Sequence, residues 1–172
     1  MARRRVIAIA GGASAGPEAL ETAEAVGQRI VDAGHRIATG GRGGVMEAAS
    51  RGARSASKYR EGAVIGILPG LDASDANPYV DIALPTGLNH ARNAVLVASA
   101  DALVAIGGGA GTLSEIALAW TMDKPVIAVA VPGWSGRLAG KPLDSRRSDA
   151  IYEAGSADEV VALLNEILDD SL

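Results

Sequence analysis

Short apolar runs of strand length recur along this 172-residue chain, each followed by a glycine-containing turn and then by a segment of helical character. Runs such as residues 126–131 are apolar throughout, which is typical of strands covered on both faces. The alternation predicts βαβ units around a parallel sheet. The predicted strands are residues 5–10, 36–39, 63–68, 80–84, 102–106 and 126–131, and the predicted helices are residues 17–32, 45–57, 88–99, 112–122 and 157–168.

Helix boundaries and chain length refine this pattern. Pro17 suits a first helical position, and Gly34 is placed to end the first helix. Residues 132–148 show no clear period and are predicted to form a loop. A chain of this length supports one well-buried core, so we predict a single α/β domain over residues 1–172, with a doubly wound parallel sheet in three α/β/α layers.

The turns that follow the strands are the first candidate for function. In a parallel sheet they lie at the carboxyl edge, where open α/β sheets bind ligands. Five such turns are expected at this edge: residues 11–16, 40–44, 69–70, 85–87 and 107–111. Arg92 and Glu115 open the helices after the fourth and fifth strands, so both are expected to project toward the same ligand.

The run from Gly107 to Glu115 is the most informative of these turns. Glycines without a Cβ let the backbone approach a ligand, and the first amides of the next helix have no intrahelical acceptors, so the run predicts a phosphate site. Its candidate phosphate-binding residues are Gly108, Gly109, Gly111 and Thr112. A structural alternative is a capping box, in which Thr112 and Glu115 only satisfy the helix end. The run lacks the lysine of a Walker A loop and fits the G-x-G-x-x-G fingerprint poorly.

Two further glycine clusters supply the remaining candidate ligand-binding residues. Gly41, Arg42 and Gly43 come from the second turn, and Gly12 and Ser14 come from the first. Each cluster can instead be a flexible turn only. Arg92 stands in the first turn of its helix, where a cation opposes the helix dipole and calls for an anionic partner.

Other polar and aromatic residues near these turns have simpler interpretations. Asn89 and His90 are more often cap or loop residues than catalysts. Trp120 is predicted to pack in the core. The polar residues Asp72, Asp75 and Asn77 are expected only to solvate a loop.

Composition excludes several function classes. The net charge is −4, and only 3% of the residues are aromatic with no Phe, so neither a cationic nucleic-acid surface nor stacking platforms are expected. With no cysteine and two histidines, a structural metal site is not expected. The apolar stretch after the N-terminal arginines is too short for a signal peptide or a membrane span, so we expect a cytoplasmic protein without a membrane partner.

Two motifs together resemble those of a known family. Gly107-Gly108-Gly109-Ala110-Gly111-Thr112-Leu113-Ser114-Glu115 is similar to PGGxGTxxE, and Gly40-Gly41-Arg42-Gly43-Gly44-Val45-Met46 is similar to GGGxxGLM. Over nearly its whole length the chain resembles the Lonely Guy family, often mislabelled as lysine decarboxylases, in the Rossmann-like group that includes the DNA-processing protein DprA. The resemblance implies a Rossmann-like fold and a homodimer or higher homo-oligomer.

The resemblance also implies a chemistry. Lonely Guy enzymes release the base from nucleoside 5′-monophosphates with an arginine and a glutamate, and these carry over to Arg92 and Glu115. The expected function is therefore binding of a phosphorylated nucleotide-type ligand, with phosphoribohydrolase activity and no required cofactor. Asn93 replaces the lysine of the family's M-x-x-R-K segment, and Gly107 replaces its proline. Both departures resemble the branch of molybdenum cofactor carrier proteins, so the alternative is a non-catalytic carrier with molybdenum cofactor, or a similar phosphorylated pterin, as cargo.

Overall fold

A computed structural model describes residues 3–169 as an alternation of strands and helices. The strands are β1 (Val6–Gly11), β2 (Arg36–Thr39), β3 (Val64–Leu68), β4 (Ile82–Pro85), β5 (Ala102–Ile106), β6 (Val126–Val129) and β7 (Tyr152–Ala154). The helices are α1 (Pro17–Asp32), α2 (Val45–Arg54), α3 (Arg92–Ser99), α4 (Ala110–Thr121), α5 (Trp134–Leu138) and α6 (Ala157–Asp169). Short 3₁₀ turns cover Ala73–Asp75 and Asn89–Ala91.

All seven strands form one parallel sheet in the order β4-β3-β2-β1-β5-β6-β7. The strand order changes direction between β1 and β5, which pair from Ile7 with Ala102 to Gly11 with Ile106. This is the topological switch point, and it directs ligands to the crevice beyond the carboxyl ends of these two strands. The prediction of a Rossmann-like, doubly wound α/β fold in a single domain is confirmed.

Aliphatic side chains cover both faces of the sheet. On one face, α1, α2 and α6 bury residues such as Val26, Ala49 and Leu164 against β1, β2 and β6. On the other face, α3 and α4 bury residues such as Leu96 and Trp120. Trp120 is 1% exposed, which confirms its predicted place in the core.

Helices α1 and α2 pack at unusually close range through two glycines. A Cβ added at Gly27 would collide with the main chain of Ala49, and one at Gly52 would collide with the main chain of Glu24. Neither position has room for a side chain. The close contact fixes the distance between the two helices, and each of them begins directly after a glycine-rich turn.

The structure corrects several predicted boundaries. Residues 132–148 are not all loop, because they include the short helix α5, and the three-residue edge strand β7 was missed. Both elements are too short for a periodic signal. Helix α4 begins two residues earlier than predicted, and α3 is preceded by a 3₁₀ turn.

Candidate functional site

A cavity of about 230 Å³ lies at the carboxyl edge, at the switch point between β1 and β5. Its walls come from the loop after β1, from the start of α3 and from the start of α4. We call it the glycine-loop cavity. The residues that line it include Gly12, Arg92, Gly109, Gly111, Thr112 and Glu115. Of the five turns expected at this rim, the first and the last line this cavity.

A second cavity of about 400 Å³ continues from the first. The two share Met46, His90 and Arg92 in their walls, and the second is also lined by Arg42, after which we name it the Arg42 cavity. Arg42 also lies close enough to Arg92 to disfavour the charged form of Arg92. Arg92 lines both cavities and Arg42 lines the second, and two cations around adjoining cavities favour an anionic occupant.

Arg92 is the least satisfied polar side chain of this site. It is 13% exposed, and its Nη1 lies 3.7 Å from Glu115 Oε1, too far for a hydrogen bond. Within residues 3–169, its buried Nε and Nη1 atoms have no hydrogen-bond partner. Burial lowers the pKa of Arg92, although the carboxylate of Glu115 opposes this effect. A buried guanidinium with free N–H groups is costly unless a ligand accepts from it.

Glu115 lies opposite Arg92 and is itself buried, with 8% of its side chain exposed. Burial raises the pKa of Glu115 from 4.5 to about 7, and the positive charge of Arg92 offsets only part of this rise. The carboxyl group therefore changes protonation near neutral pH. It can accept or donate a hydrogen bond to a ligand in that range.

The start of α4 forms the wall that the sequence assigns to phosphate. Gly109 is the N-cap residue, and a Cβ at Gly109 or Gly111 would meet no atom within 4 Å. The backbone is therefore open toward the cavity, as a phosphate at a helix N-terminus requires. The capping-box alternative is wrong, since Gly109 caps the helix without a side-chain hydrogen bond and Glu115 lies beyond its first turn.

Gly108 and Thr112 have supporting places in this loop. Gly108 has φ +84°, and a Cβ there would collide with the side chain of Thr112. Thr112 is buried and lines the glycine-loop cavity. A hydrogen bond fixes Gly107 to the segment after β6, because Ser135 Oγ accepts from the amide of Gly107 at 2.7 Å.

Asn77, which the sequence predicts only to solvate a loop, holds the second glycine turn in place. Asn77 is buried, and its Nδ2 donates to the carbonyl of Arg42 at 3.0 Å while its amide donates to the carbonyl of Gly41 at 2.8 Å. Asp75 lies 3.8 Å from Arg42. Asn77 therefore positions the Arg42 loop, and the prediction that it only solvates a loop is wrong. No periodicity signals such a role, because the contact spans 35 residues.

The remaining predicted residues divide into lining and supporting positions. Gly12 lines the cavity, and its carbonyl accepts from the amide of Val45 at 3.0 Å. Gly41 has φ +73° and donates to Thr39 Oγ1, whereas Gly43 lies beside Ala13. Ser14 is exposed and is not among the residues that line either cavity.

Asn93, which follows Arg92, also lines the glycine-loop cavity. It is 7% exposed, and its Nδ2 donates to Ser114 Oγ at 2.8 Å. Ser114 Oγ in turn donates to the carbonyl of Gly111 at 2.7 Å. This relay joins the start of α3 to the first turn of α4, and it orients the amide of Asn93 beside Arg92.

Comparison with known proteins defines the family. The profile of the SLOG cluster4 family matches residues 4–162. The chain belongs to the SLOG cluster4 family. This match covers every residue of the two cavities, and it confirms the resemblance predicted from the glycine motifs.

Two solved structures and one archaeal protein are similar to this SLOG cluster4 chain. The molybdenum cofactor binding protein of Rippkaea orientalis is 38% identical, with a TM-score of 0.85 over 96% of this chain and 98% of that one. The molybdenum cofactor carrier protein of Chlamydomonas reinhardtii is 31% identical, with a TM-score of 0.82 over 96% and 99% of the two chains. An uncharacterized protein of Archaeoglobus fulgidus is 40% identical over 126 residues, which are 73% of this chain and 80% of that protein.

Residues 3–169 contain neither a candidate metal cluster nor a candidate membrane span. In that part of the chain, no group of three or more His, Cys, Asp or Glu side chains is arranged to hold a metal ion. None of the helices in the same range is both long enough and apolar enough to span a membrane.

Proposed function

We propose that this protein is a carrier that binds a phosphorylated pterin, molybdenum cofactor or a close relative of it, in the glycine-loop and Arg42 cavities. The observation that carries the proposal is the buried guanidinium of Arg92, whose Nε and Nη1 have no hydrogen-bond partner within the described chain. Similarity over nearly full length to a molybdenum cofactor binding protein and to a molybdenum cofactor carrier protein supports this choice of ligand.

The residues of the site fit a phosphate monoester joined to a polar ring system. The open backbone at Gly109 and Gly111 offers the amides of the α4 N-terminus to phosphate oxygens. Arg92 supplies the balancing positive charge. Asn93 and Glu115 offer donors and acceptors to the amide-like edges of a pterin. The combined cavities, about 230 and 400 Å³, fall in the range of small-molecule sites.

Phosphoribohydrolase activity is the second candidate, and the Arg92–Glu115 pair is the observation that favours it. A carboxyl group with a pKa of about 7 suits acid–base work near neutral pH. Next to a ribose, it would stabilise the oxocarbenium-like charge or orient the attacking water. Asn93 and Gly107, which differ from the hydrolase motifs, favour the carrier.

A binding experiment tests the carrier. Purified protein is titrated anaerobically with molybdenum cofactor and, separately, with a phosphorylated pterin lacking the metal. We expect saturable binding, weakened roughly thirtyfold or more by Arg92→Gln, because loss of a buried charge from a charged pair costs about 2 kcal/mol or more. Arg29→Gln is the control, since Arg29 is an exposed arginine paired with Asp158. Absence of binding by both probes would refute the carrier.

A turnover experiment tests the second candidate. The protein is incubated with AMP and other nucleoside 5′-monophosphates, and free base and ribose 5-phosphate are measured. Release that is abolished by Glu115→Gln supports hydrolysis. Binding of the pterin without turnover of any nucleotide would exclude hydrolysis and support the carrier.

The cytoplasmic location, the homo-oligomeric state and the absence of a nucleic-acid partner belong to the same proposal. The aliphatic, aromatic-poor composition and the net charge of −4 support the last of these. Native mass spectrometry measures the oligomer directly, and a monomeric mass would exclude a dimer.

A further inference from the structure

A cavity of about 310 Å³ lies at the amino edge of the sheet, on the opposite rim from the candidate site. Its walls are formed by Arg4, Gly34, Lys58, Tyr59 and Arg60, together with Ser57. We call it the amino-edge cavity. None of these residues lines the glycine-loop or Arg42 cavities, so any ligand here would be independent of the carrier function.

Parallel topology gathers arginines at this edge from distant parts of the sequence. Arg4 precedes β1, Arg36 opens β2, and Arg60 precedes β3. These strands are neighbours in the sheet, so their amino ends meet on one rim. Arg36 and Arg60 each lie close enough to act on Arg4, because their charges, after the larger effect of burial, lower the pKa of Arg4.

The charges of this cluster are not balanced by ion pairs. Nine other arginines lie within 4.0 Å of a carboxylate, but within residues 3–169 Arg4, Arg36 and Arg60 do not. Three carboxylates are nearby. Asp32 accepts from Ser57 Oγ at 2.7 Å and from the amide of Lys58 at 3.1 Å. Asp81 accepts from the hydroxyl of Tyr59 at 2.6 Å and is paired with Arg54, and Glu61 follows Arg60 in the chain as an exposed side chain.

Main-chain carbonyls hold two of these arginines in place. Arg4 donates from Nε to the carbonyl of Gly34 at 3.0 Å and from Nη2 to the carbonyl of His35 at 2.9 Å. Arg36 donates from Nε to the carbonyl of Gly62 at 3.2 Å. The cationic groups are therefore oriented without an anion, which lowers the entropic cost of binding one.

We propose that the amino-edge cavity binds a small, multiply charged oxyanion, carried by a metabolite with phosphate or carboxylate groups. Guanidinium groups match both kinds of oxyanion through bidentate hydrogen bonds, and several positive charges around one cavity favour a ligand with at least two negative charges. The ring of Tyr59 forms one wall, while its hydroxyl donates to Asp81 at 2.6 Å and is not free for the ligand.

Calorimetric titration with inorganic pyrophosphate and with citrate tests the proposal. The Arg92→Gln protein is the starting point, because this exchange is expected to weaken phosphate binding at the other rim. We expect saturable binding of at least one probe, and the tighter probe identifies phosphate or carboxylate as the preferred group. Arg60→Gln should lower the affinity roughly tenfold, as expected for loss of one charge-assisted contact.

Arg60→Gln is suited to this test because Arg60 is exposed and makes no side-chain hydrogen bond or ion pair among the described residues. Arg29→Gln, the same exchange at an exposed arginine of α1, is the matched control and should leave the affinity unchanged. Failure of both probes to bind, or equal affinities in the two variants, would overturn the proposal.

Amide chemical-shift mapping locates the bound probe independently of the variants. Shifts clustered at Gly34, Arg36 and Lys58 support the amino-edge cavity. Shifts confined to Gly109 and Thr112 would place the probe at the carboxyl edge and overturn the proposal.

Discussion

Replacement of Glu115 by glutamine should change the way in which stability depends on pH. Folding raises the pKa of this carboxyl from 4.5 to about 7, so the folded state prefers its protonated form. The free energy of unfolding is therefore highest below pH 4.5, falls as the pH rises through the interval to about 7, and is constant above it. The difference in pKa corresponds to about 3 kcal/mol over the whole interval. Glutamine has the shape of the protonated acid but does not ionise, so the variant should not lose stability as the pH rises.

Urea denaturation of the wild type and Glu115→Gln between pH 5.5 and pH 8.5 measures the effect. The stability of the variant relative to the wild type should increase by about 2 kcal/mol across this range, the part of the 3 kcal/mol that falls within it. Buffers without phosphate keep anions away from Arg92. Glu21→Gln, at an exposed position of α1, should show no such change. A relative stability of Glu115→Gln that does not vary with pH would refute the burial argument.

Three further variants test the site and its scaffold. Gly109→Leu should abolish pterin binding while lowering the free energy of unfolding by less than about 1 kcal/mol, because the new side chain enters open cavity space at a helix N-cap. Asn77→Ala should cost about 1 to 2 kcal/mol in urea denaturation and weaken ligand binding, because the carbonyl of Arg42 loses its donor. Gly52→Ala should destabilise the protein by about 2 kcal/mol in thermal or urea unfolding, because its Cβ meets the main chain of Glu24.

Each of these variants has a control in the same chain. Gly16 is also an N-cap glycine with open space around its Cβ position, but it lines neither cavity, so Gly16→Leu should keep pterin affinity. Asp72→Ala removes an exposed cap of the same loop, which accepts from the amide of Ser74 at 2.8 Å, and should leave pterin affinity unchanged, whereas Asn77→Ala weakens it. Gly111→Ala places a Cβ in open space within a helix and should stabilise the fold by about 1 kcal/mol. Equal effects in any pair would contradict the corresponding argument.

The sheet was predictable because its signals are local. Apolar runs such as residues 126–131 mark buried strands, and Pro17 and Gly34 mark helix ends, so the strand–helix alternation follows from the sequence. Strand β7 and helix α5 have three and five residues, which is less than two full periods of their patterns and too short to show a repeat. Their formation depends on contacts with β6 and with the Gly107 turn, such as the bond from Ser135 N to the Gly107 carbonyl at 3.1 Å.

The candidate site was predictable to the level of loops but not of individual contacts. Glycine clusters before helices identified the rim and the pair of Arg92 and Glu115, which the structure brings to 3.7 Å. The support that Asn77 gives to the Arg42 loop could not be predicted from the sequence, because it depends on the pairing of β2 with β3 and of β3 with β4. The position of Arg4 beside Arg36 and Arg60 could not be predicted either, because it follows from the strand order and not from the sequence.

The close contact of α1 and α2 through Gly27 and Gly52 has a consequence for the shape of the candidate site. The two helices carry the first and second glycine turns on their N-terminal ends, so these turns move together or not at all. A side chain at Gly27 or Gly52 would push the two helices apart and would move the turns with them. The helix contact on one face of the sheet thus sets the width of the ligand space at its carboxyl edge, which Met46 and His90 also line.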